Sequence, residues 1–436
     1  MRNHKAMDTT FLRKGLSRAL ICFIFTVFLG SITYAADWET NGSANWDDNA
    51  NWDDPDTFPN AVDASANVAH VNITGNRTIS LNQDITLGVL YTGDTSGTSR
   101  YVIAQGTAGN LIFDVSSGNA IHTSISSTYN QINADVILSD NVEISSPSDV
   151  AYRGTISGAG GFIVHNGNFT IRESTNNFTG DIILNNGSSL LLYSSNPPGA
   201  IIINEGYLRG YYIYTLSRAL GTGAGQISIA GGESGFGWNN NMNVKINNNA
   251  STVVQWGSAD FNPSPLLLDN TSAGSGKTLT FQNILDLNGV ARTIKVGPNS
   301  GYTAIMSGNI HDTGSGASLT KTGIGVLRLS AVNTYAGNTT VNAGTLEFTQ
   351  INSSNENSTI SIASGASLNL NFSGMDTVKY LVINGTQYGT GRYGHTNSGA
   401  NNGGLGVGAL DSYYGTGTGI LEVIGDPPIG TIFVYE

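Results

Sequence analysis

Along most of the chain, apolar and polar residues alternate in runs of four to six, each run closed by a turn. Ser367-Leu368-Asn369-Leu370-Asn371-Phe372 alternates strictly, and so does Thr359-Ile360-Ser361-Ile362. Thr345-Leu346-Glu347-Phe348-Thr349 and Val326-Leu327-Arg328-Leu329-Ser330 put a charge on one face and Leu or Phe on the other. A period of two is the mark of a half-buried strand. Leu346 and Phe348 are therefore expected inside, and Glu347 outside as a solvated charge. Six Asn-Gly dipeptides, beginning at 41, 166, 186, 288, 384 and 402, signal turns, because both residues tolerate positive φ. Helical periodicity is nearly absent. Leu216-Ser217-Arg218-Ala219-Leu220 suggests one helical turn, stopped by Gly221-Thr222-Gly223.

The strands repeat. Phe162–Leu191 aligns with Leu319–Phe348 at a constant offset of 157, slipping by about one residue around Gly167 and Gly323. Asn176-Asn177-Phe178-Thr179-Gly180 falls on Asn333-Thr334-Tyr335-Ala336-Gly337, and Asn185-Asn186-Gly187-Ser188 on Asn342-Ala343-Gly344-Thr345. Each copy reads strand, turn, strand, Asn-x-aromatic-x-Gly, strand, Asn-x-Gly, strand. A unit of about 30 residues cannot bury its apolar face alone, so it must stack on its neighbours.

The segment Leu319–Leu346 resembles, almost position for position, the autotransporter-associated β-strand repeat, and 158–192 is a degenerate copy. Weaker, compositional likenesses to the flanks of that repeat lie at Trp38–Pro59, Ala219–Ile227, Val382–Gln387 and Gly415–Leu421. The resemblance implies an all-β, right-handed parallel β-helix that forms the exported passenger region of bacterial surface proteins. It implies no catalytic residues and no cofactor, because the motif is a stacking motif. One departure stands out. The chain ends at Gly425–Glu436 without room for a membrane barrel, so another secretion route or anchor is expected.

Rung arithmetic leads to the same fold. About 400 residues coiled at roughly 20–25 per rung make about 16–20 rungs, a rod of order 80–95 Å. Parallel crossovers favour the right hand. Open strand edges at both ends need caps, for which 36–60 and 385–436 are the natural segments around a helix body at 61–384. An array of β-sandwiches is the alternative.

Composition agrees with many short strands and many turns. The 436 residues include 56 Gly, 48 Asn and only 10 Pro, with 11 % charged residues against 39 % hydrophobic. That excludes a helical bundle, a coiled coil and a charged disordered chain. Residues 1–35 read as an export signal: bases up to Arg18, the apolar run Ala19–Gly30, then small residues at Thr33 and Ala35 that place cleavage after Ala35. An uncleaved anchor is the alternative, but a run of 12 residues falls short of the roughly 20 a spanning helix needs. Cys22, the single cysteine, lies in this run and not in a lipid-attachment context, so the mature chain forms no disulfide and no thiolate metal site. Five of the 19 bases and one of the 31 acids also lie there, leaving 14 and 30, a net charge of −16. Such a surface repels nucleic acid and anionic membranes, so neither is expected as a partner; glycans or matrix components outside the cell are.

Candidate chemistry is sparse, and no catalytic, cofactor-binding or metal-binding residue is assigned. Ala273-Gly274-Ser275-Gly276-Lys277-Thr278 resembles the tail of a P-loop, but Thr271 replaces its first Gly and a strand pattern follows. Gly232-Glu233-Ser234-Gly235-Phe236 misses the closing Gly of a nucleophile elbow, and Gly221–Gly225 is a lone Gly-rich turn. The start, from Trp46-Asp47-Asp48 to Trp52-Asp53-Asp54-Pro55-Asp56, is the most distinctive cluster. Its carboxylates could hold Ca²⁺, though Phe58 stands where an EF-hand needs Glu, and Trp38, Trp46 and Trp52 could stack on sugar; covering the open end of the rod is the plainer role. His70, His122, His165, His311 and His395 share no metal-ligand spacing. The function expected is a non-enzymatic exported scaffold or adhesin. A secreted polysaccharide lyase or glycosidase is the alternative, which needs paired carboxylates or acids with bases beside them; only Arg292 and Lys295 form a basic cluster.

Overall fold

The computed structural model describes residues 35–427 except 95–98, 126–128, 174, 194–196, 212–214, 239–240, 270–276, 299 and 315. The expected export signal, Cys22 included, lies outside the described residues apart from its last residue, Ala35. The strands form where alternation placed them: Val326–Leu329, Gly344–Phe348, Thr359–Ile362 and Ala366–Leu370. They are not paired in sandwiches. Nearly all pair in parallel with the strand one coil away, and the longest sheet stacks 16 of them. The architecture is a parallel β-helix.

In the first half coils visit a ten-stranded sheet and the 16-stranded sheet, with a four-stranded sheet added as far as Ile156–Gly158; in the second half they visit the 16-stranded and a seven-stranded sheet, with a three-stranded sheet added between Val253–Gln255 and Ile310–His311. Register stacks like on like. On the long sheet Ile79, Ile103, Ile132, Tyr152, Ile171 and Leu192 are successive partners, and all six are buried. Every second residue thus joins one continuous core along the axis, while the residue between points out.

The long sheet begins at Ala44–Asn45 and ends where Thr386–Tyr388 turns back antiparallel on Tyr380–Ile383. The Asn384-Gly385 turn between them has φ of 48° and 81°, the left-handed pair a two-residue hairpin needs. Asn-Gly at 186, 288 and 402 does the same, whereas at 166 only the Gly is left-handed and at 41 neither residue is. Fifteen parallel strands at about 4.8 Å per step make roughly 70 Å, shorter than the sequence estimate. The cause is rung length: partners lie 18 residues apart at Leu192 and Gly210 but 32 apart at Phe236 and Leu268. The helical turn expected at Leu216–Leu220 is instead two short strands, Thr215–Leu216 and Ala219–Leu220. Arg218 between them is buried and donates to the carbonyls of Gly199 (2.9 Å), Gln226 (3.0 Å) and Pro197, so cross-rung bonds win over a local turn.

Candidate functional site

The residues singled out from sequence are scattered along the rod. Trp38, Trp46 and Trp52 are buried edge to face, with centroids 5.1 and 4.7 Å apart. Their indole N–H groups donate to Thr40, Pro59 and Trp46 carbonyls, so no ring face is left for a sugar. Asp47, Asp48, Asp53 and Asp54 each accept a hydrogen bond from within the fold. Ala273–Gly276 lies outside the described residues, and Thr278 opens a strand as expected. Ser234 lies at the buried start of a strand, its hydroxyl on the Gly231 carbonyl, and not on an exposed elbow. Lys295 holds both oxygens of Glu233 at 2.7 and 2.8 Å, while Arg292 lies over Trp256 and donates to backbone carbonyls. That basic pair is absorbed by structure.

The histidines also separate. His70, His165 and His395 each stand beside a carboxylate, Asp37, Glu143 and Asp411 respectively, and His311 is the register partner of Asp286. His122 is fully buried between Phe113 and Tyr152. Its Nε2 pairs with the Thr92 hydroxyl and its Nδ1 with the Tyr152 hydroxyl, both at 2.9 Å. Burial pushes this imidazole down to about 3, so it stays neutral. Among the described residues no three His, Cys, Asp or Glu side chains converge as a metal would require.

One assembly escaped the sequence reading. On the long sheet Tyr152, Ile171, Leu192 and Gly210 are successive inward partners. The residues after them, Arg153, Arg172, Tyr193 and Tyr211, therefore line up on the outer side. Tyr193 and Tyr211 stack at 4.3 Å and 11°. The Arg172 guanidinium lies 4.2 Å from the Tyr193 ring, and those of Arg100 and Arg153 lie 5.5 and 5.6 Å from the Tyr129 ring. Arg209, one strand position back from Gly210, is only 5 % exposed and lies 5.9 Å from Tyr207. Burial raises the Tyr193 phenol above its ordinary value against the pull of Arg172 and Arg153. The Nε atoms of Arg100, Arg153 and Arg209 are buried with no hydrogen-bond partner among the described residues. The sequence signal was the spacing of 19, 21 and 18 residues along Arg153, Arg172, Tyr193 and Tyr211, legible only once the rung lengths are known.

The repeat motif has an equally specific geometry. Asn176 and Asn333 accept the backbone N–H of Ile156 (2.8 Å) and Ile310 (3.0 Å), fastening each rung to the one before it. Phe178 and Tyr335 are buried in the core. A Cβ at Gly180 or Gly337 would sit 2.3 Å from the backbone of Gly160 or Ala317, so the motif needs Gly for close approach. Residues 319–348 match the family model of the passenger-associated-transport-repeat. No curated protein and no solved structure matches the chain.

Within the matched repeat one charge corrects the sequence reading, and a second takes a place that the reading did not address. Glu347 faces outward but is only 4 % exposed. It accepts from Arg328 at 3.2 Å and from Asn371 at 2.7 Å, so the neighbouring rungs cover it. Lys321 points inward and is fully buried, its ammonium donating to the carbonyls of Thr322 (3.1 Å), Ala343 (2.8 Å) and Gly323. The matched repeat lays its strands on the long and seven-stranded sheets, whereas the copy at 162–191 uses the ten-stranded and long sheets. The two copies sit one face apart around the coil.

Proposed function

We propose that the mature chain is an exported, non-enzymatic β-helix rod of the bacterial surface or extracellular space, a passenger-like scaffold or adhesin that meets glycans or matrix components. The observation that carries this reading is the match of 319–348 to the passenger-associated-transport-repeat, in a segment whose Asn, aromatic and Gly residues all serve rung-on-rung stacking. The side chains best suited to catalysis support the non-enzymatic part. His122 is locked between two hydroxyls, and Ser234 donates to backbone.

Cell fractionation with N-terminal sequencing tests the location. The expected result is a chain starting at Ala36 outside the inner membrane; a cytoplasmic chain with Met1 intact would overturn the proposal. Incubation with a panel of plant, algal and bacterial polysaccharides tests the rest. No hydrolysis or β-elimination above background is expected, and turnover abolished by replacing one carboxylate would make the protein an enzyme.

A further inference from the structure

We propose that Asn41 is a site of spontaneous covalent modification, where the side-chain amide is lost and residue 41 becomes a mixture of aspartate and isoaspartate, ahead of the other five Asn-Gly pairs. The chemistry is the chain's own and proceeds wherever the chain resides.

In an Asn-Gly pair the glycine nitrogen reaches the side-chain carbonyl of the residue before it most easily, because no Cβ stands in the way. The N–Cγ bond forms, the Cγ–Nδ2 bond breaks, and ammonia leaves with the glycine's amide proton. Water then opens the five-membered imide. Attack at the former side-chain carbonyl gives aspartate; attack at the main-chain carbonyl gives isoaspartate. The ring closes only if the asparagine side chain and the next N–H rotate onto one another, so any contact that fixes either group raises the barrier.

Five of the six pairs are fixed. At 186, 288, 384 and 402 both residues hold left-handed φ, and the rotation would break the turn. The Gly187 N–H also donates to the Glu205 carbonyl at 3.1 Å, and the Gly289 N–H to Asp312 Oδ1 at 2.7 Å. Asn402 is fully buried, its Oδ1 accepting from the Gly394 N–H (3.0 Å) and its Nδ2 donating to the Gly406 carbonyl (3.1 Å). Asn166 Oδ1 accepts from the Ser146 N–H at 2.7 Å, which fastens that side chain to the rung before it.

Asn41-Gly42 is held by none of these devices. Neither residue is left-handed and Asn41 is exposed. No hydrogen bond holds its side chain or the Gly42 N–H among the described residues. A Cβ at Gly42 would meet nothing closer than Thr40 Cγ2 at 3.8 Å, so the imide ring has room. The fixed points lie on either side. The Thr40 carbonyl accepts from the Trp38 indole (2.8 Å) and the Tyr101 hydroxyl, and the Ser43 hydroxyl accepts from the Thr78 N–H at 3.0 Å. Isoaspartate at 41 therefore reroutes the main chain just before Ala44–Asn45, where the long sheet begins. Either product adds a carboxylate to a mature chain that already carries −16.

Peptide mapping by mass spectrometry tests this on the purified chain kept folded in mildly alkaline buffer, beside the same chain kept in urea. In the folded chain the peptide holding Asn41 should show the amide-to-acid mass gain, split into two isomers, roughly tenfold or more faster than any other Asn-Gly peptide, the factor that one broken turn or hydrogen bond adds to a barrier. In urea the six pairs should react at similar rates. Gly42→Ala should slow the reaction at 41 roughly tenfold or more with an unchanged melting temperature, and Asn41→Gln should remove the early ammonia release. Another Asn-Gly pair reacting first in the folded chain, six pairs reacting alike in it, or a Gly42→Ala chain reacting as fast would each overturn the proposal. So would a folded chain still intact at 41 when the urea sample is exhausted.

Discussion

Replacing Leu346 and Glu347 separately tests how the rod is held together. Leu346 is fully buried, with Leu327 and Leu368 as its partners on the two adjacent rungs. Leu346→Asp loses the packing of a core leucine, about 2–5 kcal/mol. It adds an unpartnered carboxyl, protonated or not, at about 1–3 kcal/mol, so a total near 5 kcal/mol is expected. Glu347→Gln keeps the size and still accepts from Asn371, but weakens the link to Arg328, whose side chain is 36 % exposed. Screening at that arginine holds the cost to about 1–2 kcal/mol, still above the half kcal/mol or so that a solvated charge would cost. Hydrogen exchange reads both. At about 1.4 kcal/mol per decade, protection in Val326–Leu329, Gly344–Phe348 and Ala366–Leu370 should fall by about three and a half decades for Leu346→Asp and about one for Glu347→Gln. Val136–Leu138, many rungs away, should keep its protection. Equal losses in the two variants would refute the facing of this strand. A loss that reached Val136–Leu138 undiminished would refute the nearest-neighbour account of stability.

Three further outcomes are expected. The unfolded chain protonates His122 near 6.5 and the folded chain only near 3, so stability from this group is full above 6.5 and falls on acidification through that window. His122→Leu should cost about 1–3 kcal/mol at neutral pH by stranding the Thr92 and Tyr152 hydroxyls and should flatten the acid slope in urea titrations; an unchanged slope would contradict the buried network. Burial lowers Lys321 from 10.5 to about 8, so the unfolded chain holds more protons between those values and stability should rise with pH across them; Lys321→Met should remove that rise in thermal melts at pH 7 and 10, and persistence of the rise would refute it. Gly337→Val places a Cβ 2.3 Å from the Ala317 carbonyl oxygen and should cost about 2 kcal/mol or more, whereas Gly42→Ala, with its nearest neighbour 3.8 Å away, should melt like the wild type.

Much of the architecture was legible in the residues themselves. Strict alternation at Thr359–Ile362 and Ser367–Leu370 named strands that the structure contains, because side-chain direction in a strand is local geometry. The internal repeat implied stacking, because a unit so small has no core of its own, and Asn-x-aromatic-x-Gly marked the residues that bond, fill and make room between rungs. What alternation could not tell was the fate of a side chain once neighbouring rungs were laid against it. Glu347 faces outward as read, yet Arg328 and Asn371, 19 and 24 residues away in sequence, cover it. Lys321 takes an inward position where the earlier copy has Val164, because carbonyls from two turns meet there and bind its ammonium. The ladder of Arg100, Tyr129, Arg153, Arg172, Tyr193 and Tyr211 was hidden for the same reason. Rungs of 18 to 37 residues have no fixed period, so which arginine lies over which tyrosine depends on turn lengths that only the coiled structure sets. Strand direction is decided within a few residues of chain; stacking partners are decided by the sum of every turn between them.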